Sequence, residues 1–227
     1  MDSLLSLLSI RGIGSIRARH LIEAFGSAQA VLEAPKDQLL QLGNIGQMII
    51  DGKSDSMSSK RIEEELAFIE KNHIRPLIYG KEGYPKRLLE CEDAPAILFQ
   101  LGDTPLDETR IVSIVGTRNC TQYGRELVHR FVSELHEAFP NVIIVSGLAL
   151  GIDVESHKAA LDCGARTVGV VAHGLDRIYP SQHRSVAKEM LLNHGSIITE
   201  YMTGTEPERS HFANFQHFAF AHAKKCA

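Results

Sequence analysis

The sequence predicts an α/β fold, in which helices cover both faces of a parallel β-sheet, preceded by a small all-helical domain. From about residue 109 onward, short and continuously apolar segments alternate with segments of helical periodicity. Strands of this kind are buried on both faces, as in parallel sheets. Two of these strands run into a glycine-containing loop that opens a helix, which is the arrangement of a Rossmann-like sheet.

Composition limits the function classes. The chain has 227 residues, which corresponds to one or two domains. A net charge of −4 gives no general basic field, so a nucleic-acid partner needs a local basic cleft. The four cysteines are far apart and form no C-x-x-C pair, which favours free thiols in a reducing compartment over disulfides or a zinc site. No signal peptide or bilayer-spanning apolar run is recognised, so we expect a cytoplasmic protein that does not contact membrane.

The helical domain is expected over residues 1–75. A leucine-rich segment precedes Arg11-Gly12-Ile13-Gly14, and apolar residues follow at helical spacing up to Phe25, where Gly26 is placed as a helix stop. A weaker echo runs from Leu39 to Gly46. Both segments resemble helix-hairpin-helix motifs of a SAM-like domain, whose glycine turn presents backbone N–H groups to a duplex phosphate. Gly12, Ile13 and Gly14 are therefore candidate duplex-DNA contacts, and the alternative is a purely structural helix connector.

The remaining elements follow in chain order. Residues Gly52–Lys60 are polar and serine-rich and predict a loop, and Arg61–Lys71 predicts a charged helix. The second domain is expected over residues 76–227, with an incomplete C-terminal part. It opens with strands Pro76–Tyr79 and Ile97–Leu101 around a helical Pro85–Cys91. The predicted core strands are Ile111–Val115, Val142–Ser146, Thr167–Ala172 and Ile197–Tyr201, and the predicted core helices are Gln122–Ala138, Val154–Leu161 and His183–Asn193.

The two glycine loops predict a phosphate site. A β-branched strand that ends in glycine and opens a helix directs backbone N–H groups and a positive helix end at one spot. Arg118 follows the first glycine and adds a cation with fork geometry, which is costly to desolvate unless an anion or a carboxylate meets it. A single loop is equally explained by turn glycines, but the second loop and Arg118 favour phosphate. The candidate DNA- or phosphate-binding residues are Gly116, Thr117, Arg118, Tyr123, Gly124, Ser146, Gly147, Ala149, Gly151 and Asp153.

Several of these side chains have a structural alternative. Ser146 either donates to the anion or caps the following turn. Asp153 is expected to cap a helix beginning at Val154, and to orient Arg118. His157 is expected to be a partly buried histidine that fixes the loop by hydrogen bonding. Tyr123 either stacks on a base or packs at the helix start.

Other chemistries lack their patterns. The loops do not fit G-x-G-x-x-G, and no acidic ribose ligand follows a second strand, so no nicotinamide cofactor is expected. Ser146 precedes its glycine, unlike the serine of a nucleophile elbow. Leu161 stands where His157 would need a second metal ligand. We therefore expect no catalytic residue, no cofactor and no metal.

Four segments resemble the DprA/Smf family in the family's own order: Val115–Gly124, Ser146–Asp153, His157–Leu161 and Gly174–Pro180. The resemblance extends from Pro76 to about Phe212. It implies a single-stranded DNA-binding protein without catalysis, which protects incoming DNA and assists RecA loading in natural transformation. RecA as a partner and a homodimer are implied by the resemblance alone.

The chain departs from the family after Glu200–Thr205, because the family's F-P-x-R-N-R segment is absent. We expect residues 213–227 to form a short helix or a disordered end rather than a strand. The sheet would then have four strands and an uncovered edge that favours self-association. The rival function is a nucleotide phosphoribohydrolase of the LOG type. Those enzymes carry P-G-G-x-G-T-x-x-E, which this sequence lacks.

Overall fold

The computed structural model describes residues 1–55 and 59–208. The chain divides into two compact units. The first comprises Met1–Asn72 together with Glu92–Ile97, and the second comprises His73–Cys91 together with the chain from Leu98 onward. The predicted domain boundary between residues 75 and 76 stays a prediction.

Within its described residues, 1–55 and 59–72, the first unit forms the helices α1 Asp2–Ser9, α2 Ser15–Phe25, α3 Ala28–Glu33, α4 Lys36–Leu40, α5 Asn44–Asp55 and α6 Ser59–Lys71. Helix α1 buries its leucines, among them Leu5 and Leu7, which are fully enclosed. Gly26 caps α2 in the left-handed conformation, with φ +85°, so the helix stop predicted there is confirmed.

Two predictions within the first unit are wrong. Ile45 and Gly46 lie inside α5 rather than in a turn, because α4 and α5 approach so closely that a Cβ on Gly46 would lie 1.7 Å from the Leu39 carbonyl oxygen. The polar segment Gly52–Lys60 is helical at both of its ends rather than a loop, since α5 runs to Asp55 and α6 begins at Ser59. Gly52 is buried against Ile10, a tertiary contact that outweighs the local polarity. Residues 56–58 lie outside the described chain.

The second unit is built on a mixed six-stranded sheet. Its strands are β1 Arg75–Ile78, β2 Ile97–Gly102, β3 Ile111–Ser113, β4 Ile143–Gly147, β5 Arg166–Val170 and β6 Ser196–Thr199. The strand order is β1-β2-β6-β5-β4-β3. The four core strands β3 to β6 are parallel, as predicted, and β2 pairs antiparallel with β6.

The expected four-stranded partial sheet is wrong. Phe99 of β2 lies opposite Thr199 of β6, so the outer edge of β6 is covered by a segment that sequence reasoning placed beside the core. Two strands therefore extend the sheet on that side. The expectation for residues 213–227 lies outside the described residues.

Helices α7 Lys86–Leu89, α8 Gln122–Ala138, α9 Ile152–Cys163 and α10 Arg184–Leu192 complete the second unit, with a 3₁₀ turn over Ser181–His183. Successive residues of β4 point to opposite faces. Ile143 and Val145 pack with Leu98 and Val168 on one face, while Ile144 packs with Val132 of α8 on the other. Burial on both faces confirms the Rossmann-like α/β class. Among the helices in the described part of the chain, none is long and apolar enough to cross a membrane.

Candidate nucleic-acid interface

The two glycine loops lie at the carboxyl edge of the sheet and interlock. The Ile152 N–H donates to the Thr117 carbonyl oxygen at 3.1 Å. Gly151 has φ +83°, and a Cβ there would lie 2.1 Å from that same oxygen. A Cβ on Gly116 would lie 2.6 Å from the Ile152 Cβ. Both glycines are therefore required by close approach, and the start of α9 fixes the conformation of the first loop.

Asp153 lies within the first turn of α9, so the capping role expected for it is wrong. The helix begins at Ile152 with Gly151 in the capping position, and no side chain makes a capping hydrogen bond. The Asp153 carboxylate instead accepts the Gly116 N–H at 3.4 Å. Burial raises the pKa of Asp153, although the N–H groups of Gly116 and Gly147 and the charge of Arg118 oppose that rise. Asp153 thus joins the two loops.

Ser146 is fully buried, and its hydroxyl donates to the Ile114 carbonyl oxygen at 2.6 Å. The contact ties β4 to the chain leaving β3, where the Ile114 N–H donates to Val145. The expected role as a cap of the following turn is therefore wrong. The hydroxyl hydrogen bond is directed between strands because Ser146 occupies a position inside β4.

His157 fixes the second loop by hydrogen bonding, as predicted, and it is fully buried rather than partly buried. Its Nε2 lies 2.8 Å from the Gly147 carbonyl oxygen, and its Nδ1 lies 2.7 Å from Thr167 Oγ1. Burial lowers the pKa of His157 to about 4, with the charge of His183 acting in the same direction and the Gly147 and Ser146 carbonyls opposing it. The neutral ring donates from Nε2, because a carbonyl oxygen can only accept.

The start of α8 presents Tyr123 outward. Thr121 caps the helix by accepting the Gly124 N–H at 3.1 Å, which fixes the first turn. The Tyr123 side chain is 70% exposed, so the alternative of packing at the helix start is wrong. Base stacking remains the prediction for this ring. In the preceding loop, the Thr117 hydroxyl accepts the Asn119 N–H at 3.2 Å.

A cavity of about 510 Å³ opens between these elements. Three cationic side chains reach it: Arg118 from the first loop, Arg125 from α8 and Lys158 from α9. The complete lining is Arg118, Asn119, Cys120, Arg125, Leu150, Gly151, Val154, Glu155, Lys158 and His183. Arg118 and Gly151 are the sequence-predicted site residues that line it.

Glu155 is a buried carboxylate at this cavity, and its charge is already compensated. Lys158 Nζ lies 2.8 Å from Glu155 Oε1, and His129 Nε2 lies 3.4 Å from Oε2. Burial acts to raise the pKa of Glu155, but hydrogen bonds and charge from Lys158 and His129 outweigh it and leave the pKa lowered. The ionised carboxylate thus orders the Lys158 ammonium and the His129 ring around it.

Sequence reasoning missed Arg125, Lys158, Glu155 and His183. Arg125 follows the Tyr123-Gly124 pair of α8, and Lys158 follows His157 on α9, so their spacing along amphipathic helices was the available signal. Gly12, Ile13 and Gly14 belong to the first unit, where the Arg17 guanidinium donates to the Gly12 carbonyl oxygen at 2.5 Å. Within residues 1–55 and 59–208, no group of three metal-ligating side chains is placed to hold an ion.

The fold and the cavity together define a protein of the Rossmann-like class with cationic side chains at the carboxyl edge of its sheet. Residues 75–218 match the family described as DNA recombination-mediator protein A. The DNA processing protein DprA of Bacillus subtilis is 37% identical over 153 residues, which cover 67% of this chain and 50% of that protein. The chain therefore belongs to the DprA/Smf family.

Solved structures agree with this assignment. DprA from Streptococcus pneumoniae superposes with a TM-score of 0.78 at 22% identity, covering 97% of this chain and 75% of that one, which supports the fold. DNA processing protein A from Helicobacter pylori, whose binding of single-stranded DNA is described, has a TM-score of 0.57 at 31% identity and covers 65% of each chain. The chain spans about half the length of the curated relatives it matches.

Proposed function

We propose that the cavity binds the backbone of single-stranded DNA, and that the chain is a DNA-binding protein of the DNA-processing type. The observation that carries the proposal is the convergence of Arg118, Arg125 and Lys158 on one cavity at the carboxyl edge of a parallel sheet. This edge is where doubly wound sheets bind phosphate groups. The cavity lining holds three cationic side chains against the carboxylate of Glu155, so its net charge is positive.

The polarity of the lining argues for contacts to the backbone more than to particular bases. Guanidinium and ammonium groups recognise phosphate, which carries no sequence information. The exposed Tyr123 ring stands two residues before Arg125 and offers a stacking face to any base. Cations that follow the backbone beside an aromatic platform are the features of sequence-tolerant single-strand binding.

The biological role we propose is protection of incoming single strands and assistance to RecA loading during natural transformation. Family membership supports this role, and the relative from Helicobacter pylori is described as binding single-stranded DNA. A homodimer and a contact with RecA belong to the same proposal. They are checked by light scattering and by pull-down with purified RecA.

The proposal is tested with a fluorescent oligonucleotide, single-stranded against duplex, over a salt series. If all three cations contact phosphate, the slope of log Kobs against log salt should be about −2 for single strands, at about 0.7 for each contact. Affinity should be higher for the single strand than for the duplex. A slope near zero would contradict phosphate binding in this cavity. So would an affinity for an oligonucleotide analogue with a neutral peptide backbone that equals the affinity for the DNA strand.

The rival function, hydrolysis of a nucleoside monophosphate, receives a separate assay. Glu155 is the carboxylate at the cavity, and its lowered pKa keeps it ionised and paired with Lys158. We propose that the chain has no such activity, since a paired carboxylate serves to order the cations. Chromatography of nucleoside monophosphates after incubation should show no released base, and release that is lost in Glu155→Gln would establish the enzyme instead.

A further inference from the structure

We propose that His183 is an additional phosphate contact in this cavity and that it binds the anion together with a proton. This inference rests on the proposed function and deepens it. It makes single-strand binding dependent on pH in a range where arginine and lysine keep their charge. Histidine was not among the residues expected to bind DNA.

The hydrogen bonds of the described residues use one ring nitrogen of His183, Nδ1. The side chain is 7% exposed and lines the cavity. Its Nδ1 lies 2.6 Å from the Leu148 carbonyl oxygen. A carbonyl oxygen accepts and does not donate, so Nδ1 carries the hydrogen. Nε2 has no hydrogen-bond partner among the described residues. It is not among the fully enclosed unpartnered atoms, so it is open to the cavity that His183 lines.

The ring of His183 lies among positive charges. His183 precedes α10 at the capping position, beside the positive end of the helix dipole. Arg118, Arg125 and Lys158 add positive charge around the same cavity, and Glu155 with its lowered pKa is the opposing carboxylate. The thiol of Cys120 also lines the cavity, and His157 lies close enough to interact electrostatically with His183.

The negative charge of a bound phosphate group favours the imidazolium form of His183, whose Nε2–H then donates a charge-assisted hydrogen bond to a phosphate oxygen. Proton uptake and anion binding are thermodynamically linked, so each strengthens the other. The Leu148 carbonyl anchors the ring through Nδ1 in both protonation states and keeps Nε2 available.

The expected effect is measured on the complete chain with a fluorescent oligothymidylate. Affinity should be about tenfold higher near pH 5.5 than near pH 8.5, the lower end of the gain from one hydrogen bond to a charged group. The salt slope should be steeper at the lower pH by about 0.7, the increment of one phosphate contact. Fluorescence anisotropy at constant salt gives both quantities.

Two variants separate the ring nitrogens. In His183→Asn the amide occupies the place of Nδ1 and can keep the Leu148 contact, while nothing replaces Nε2. In His183→Gln the amide extends toward the place of Nε2 but does not titrate. Both should lose the pH-dependent gain. His194→Asn is the matched control, because His194 is exposed, pairs with Asp103 at 3.1 Å and has φ +57°, which asparagine tolerates.

The outcomes distinguish the two proposals. If the parent chain binds the oligonucleotide, and the ratio of its affinities at the two pH values is the same in His183→Asn, the role of His183 is overturned and the proposed function stands. Absence of oligonucleotide binding at every pH would overturn the proposed function itself, and the inference with it. If a variant fails to fold, NMR of the parent's histidine rings decides. Oligonucleotide should shift one ring's titration to higher pH, and no shift in any ring would overturn the inference.

Discussion

Replacing Arg118 with alanine tests the central claim about the cavity. The Gly116 N–H and the Thr117 carbonyl are held by α9 through backbone and Asp153 contacts, so the loop keeps its anchors when the guanidinium is removed. We therefore expect the melting temperature of Arg118→Ala to stay close to that of the parent chain. The change should appear in DNA binding.

The magnitude follows from the charge and exposure of this residue. A hydrogen bond to a charged group contributes about 1.5–3 kcal/mol, and the lower end applies because Arg118 is exposed at the cavity mouth. Loss of about 1.5 kcal/mol weakens single-strand affinity by about tenfold. The log–log salt slope should fall by about 0.7, since one phosphate contact is lost. Arg118→Lys should recover the slope more fully than the affinity, because lysine keeps the charge without the fork geometry.

Fluorescence anisotropy over a salt series measures both quantities, with Arg130→Ala as the matched control. Arg130 is exposed on α8 and lies 3.9 Å from Glu134, and it is not part of the cavity lining. It should leave the slope unchanged. Equal slopes and affinities in folded Arg118→Ala and Arg130→Ala would refute the assignment of Arg118, and equal losses in both would show a general charge effect instead of a site.

Three further predictions concern stability and the first unit. Gly151→Ala should lower the free energy of urea unfolding by about 2 kcal/mol or more, because Gly151 has a positive φ and its Cβ would contact Thr117. Gly164→Ala, with φ +77° and open space around it, should lower it by about 1 kcal/mol. Equal losses would contradict the close packing of the two glycine loops. Gly14→Glu, whose Cβ meets open space, should weaken duplex binding more than single-strand binding, and equal weakening would leave the turn a structural connector. The pKa of His157 is lowered to about 4 in the folded chain, so between pH 6.5 and pH 4 the unfolded chain binds more protons than the folded one. The free energy of unfolding should therefore fall by about 3 kcal/mol as the pH falls through this range. His157→Asn should flatten that dependence on pH.

The parallel core was predictable because its signals are local. Ile143–Gly147 is continuously apolar and buried on both faces, and α8 begins and ends at the residues that its periodicity indicates. Covering of the β6 edge by β2 was not predictable in this way, since it depends on pairing between Phe99 and Thr199, which lie far apart in sequence. The helical path through Gly46 was missed for a similar reason, because its contact with Leu39 of α4 decides the conformation.

The residues of the candidate site were likewise predictable only where the signal is local in sequence. Gly116, Arg118 and Gly151 were predictable because each stands in a loop that follows a core strand, where the local pattern is clear. Lys158 and His183 were not predictable, because one occupies an ordinary polar position of a helix and the other a turn. They line the same cavity only in the folded chain. Ser146 and Asp153 hold the loops in place through Ile114 and Gly116, and their contact with an anion stays a prediction. The glycines let two loops approach, two buried side chains hold them, and the cations that line the cavity come from three separate elements. A strand–loop motif therefore located this cavity without specifying most of its charged lining.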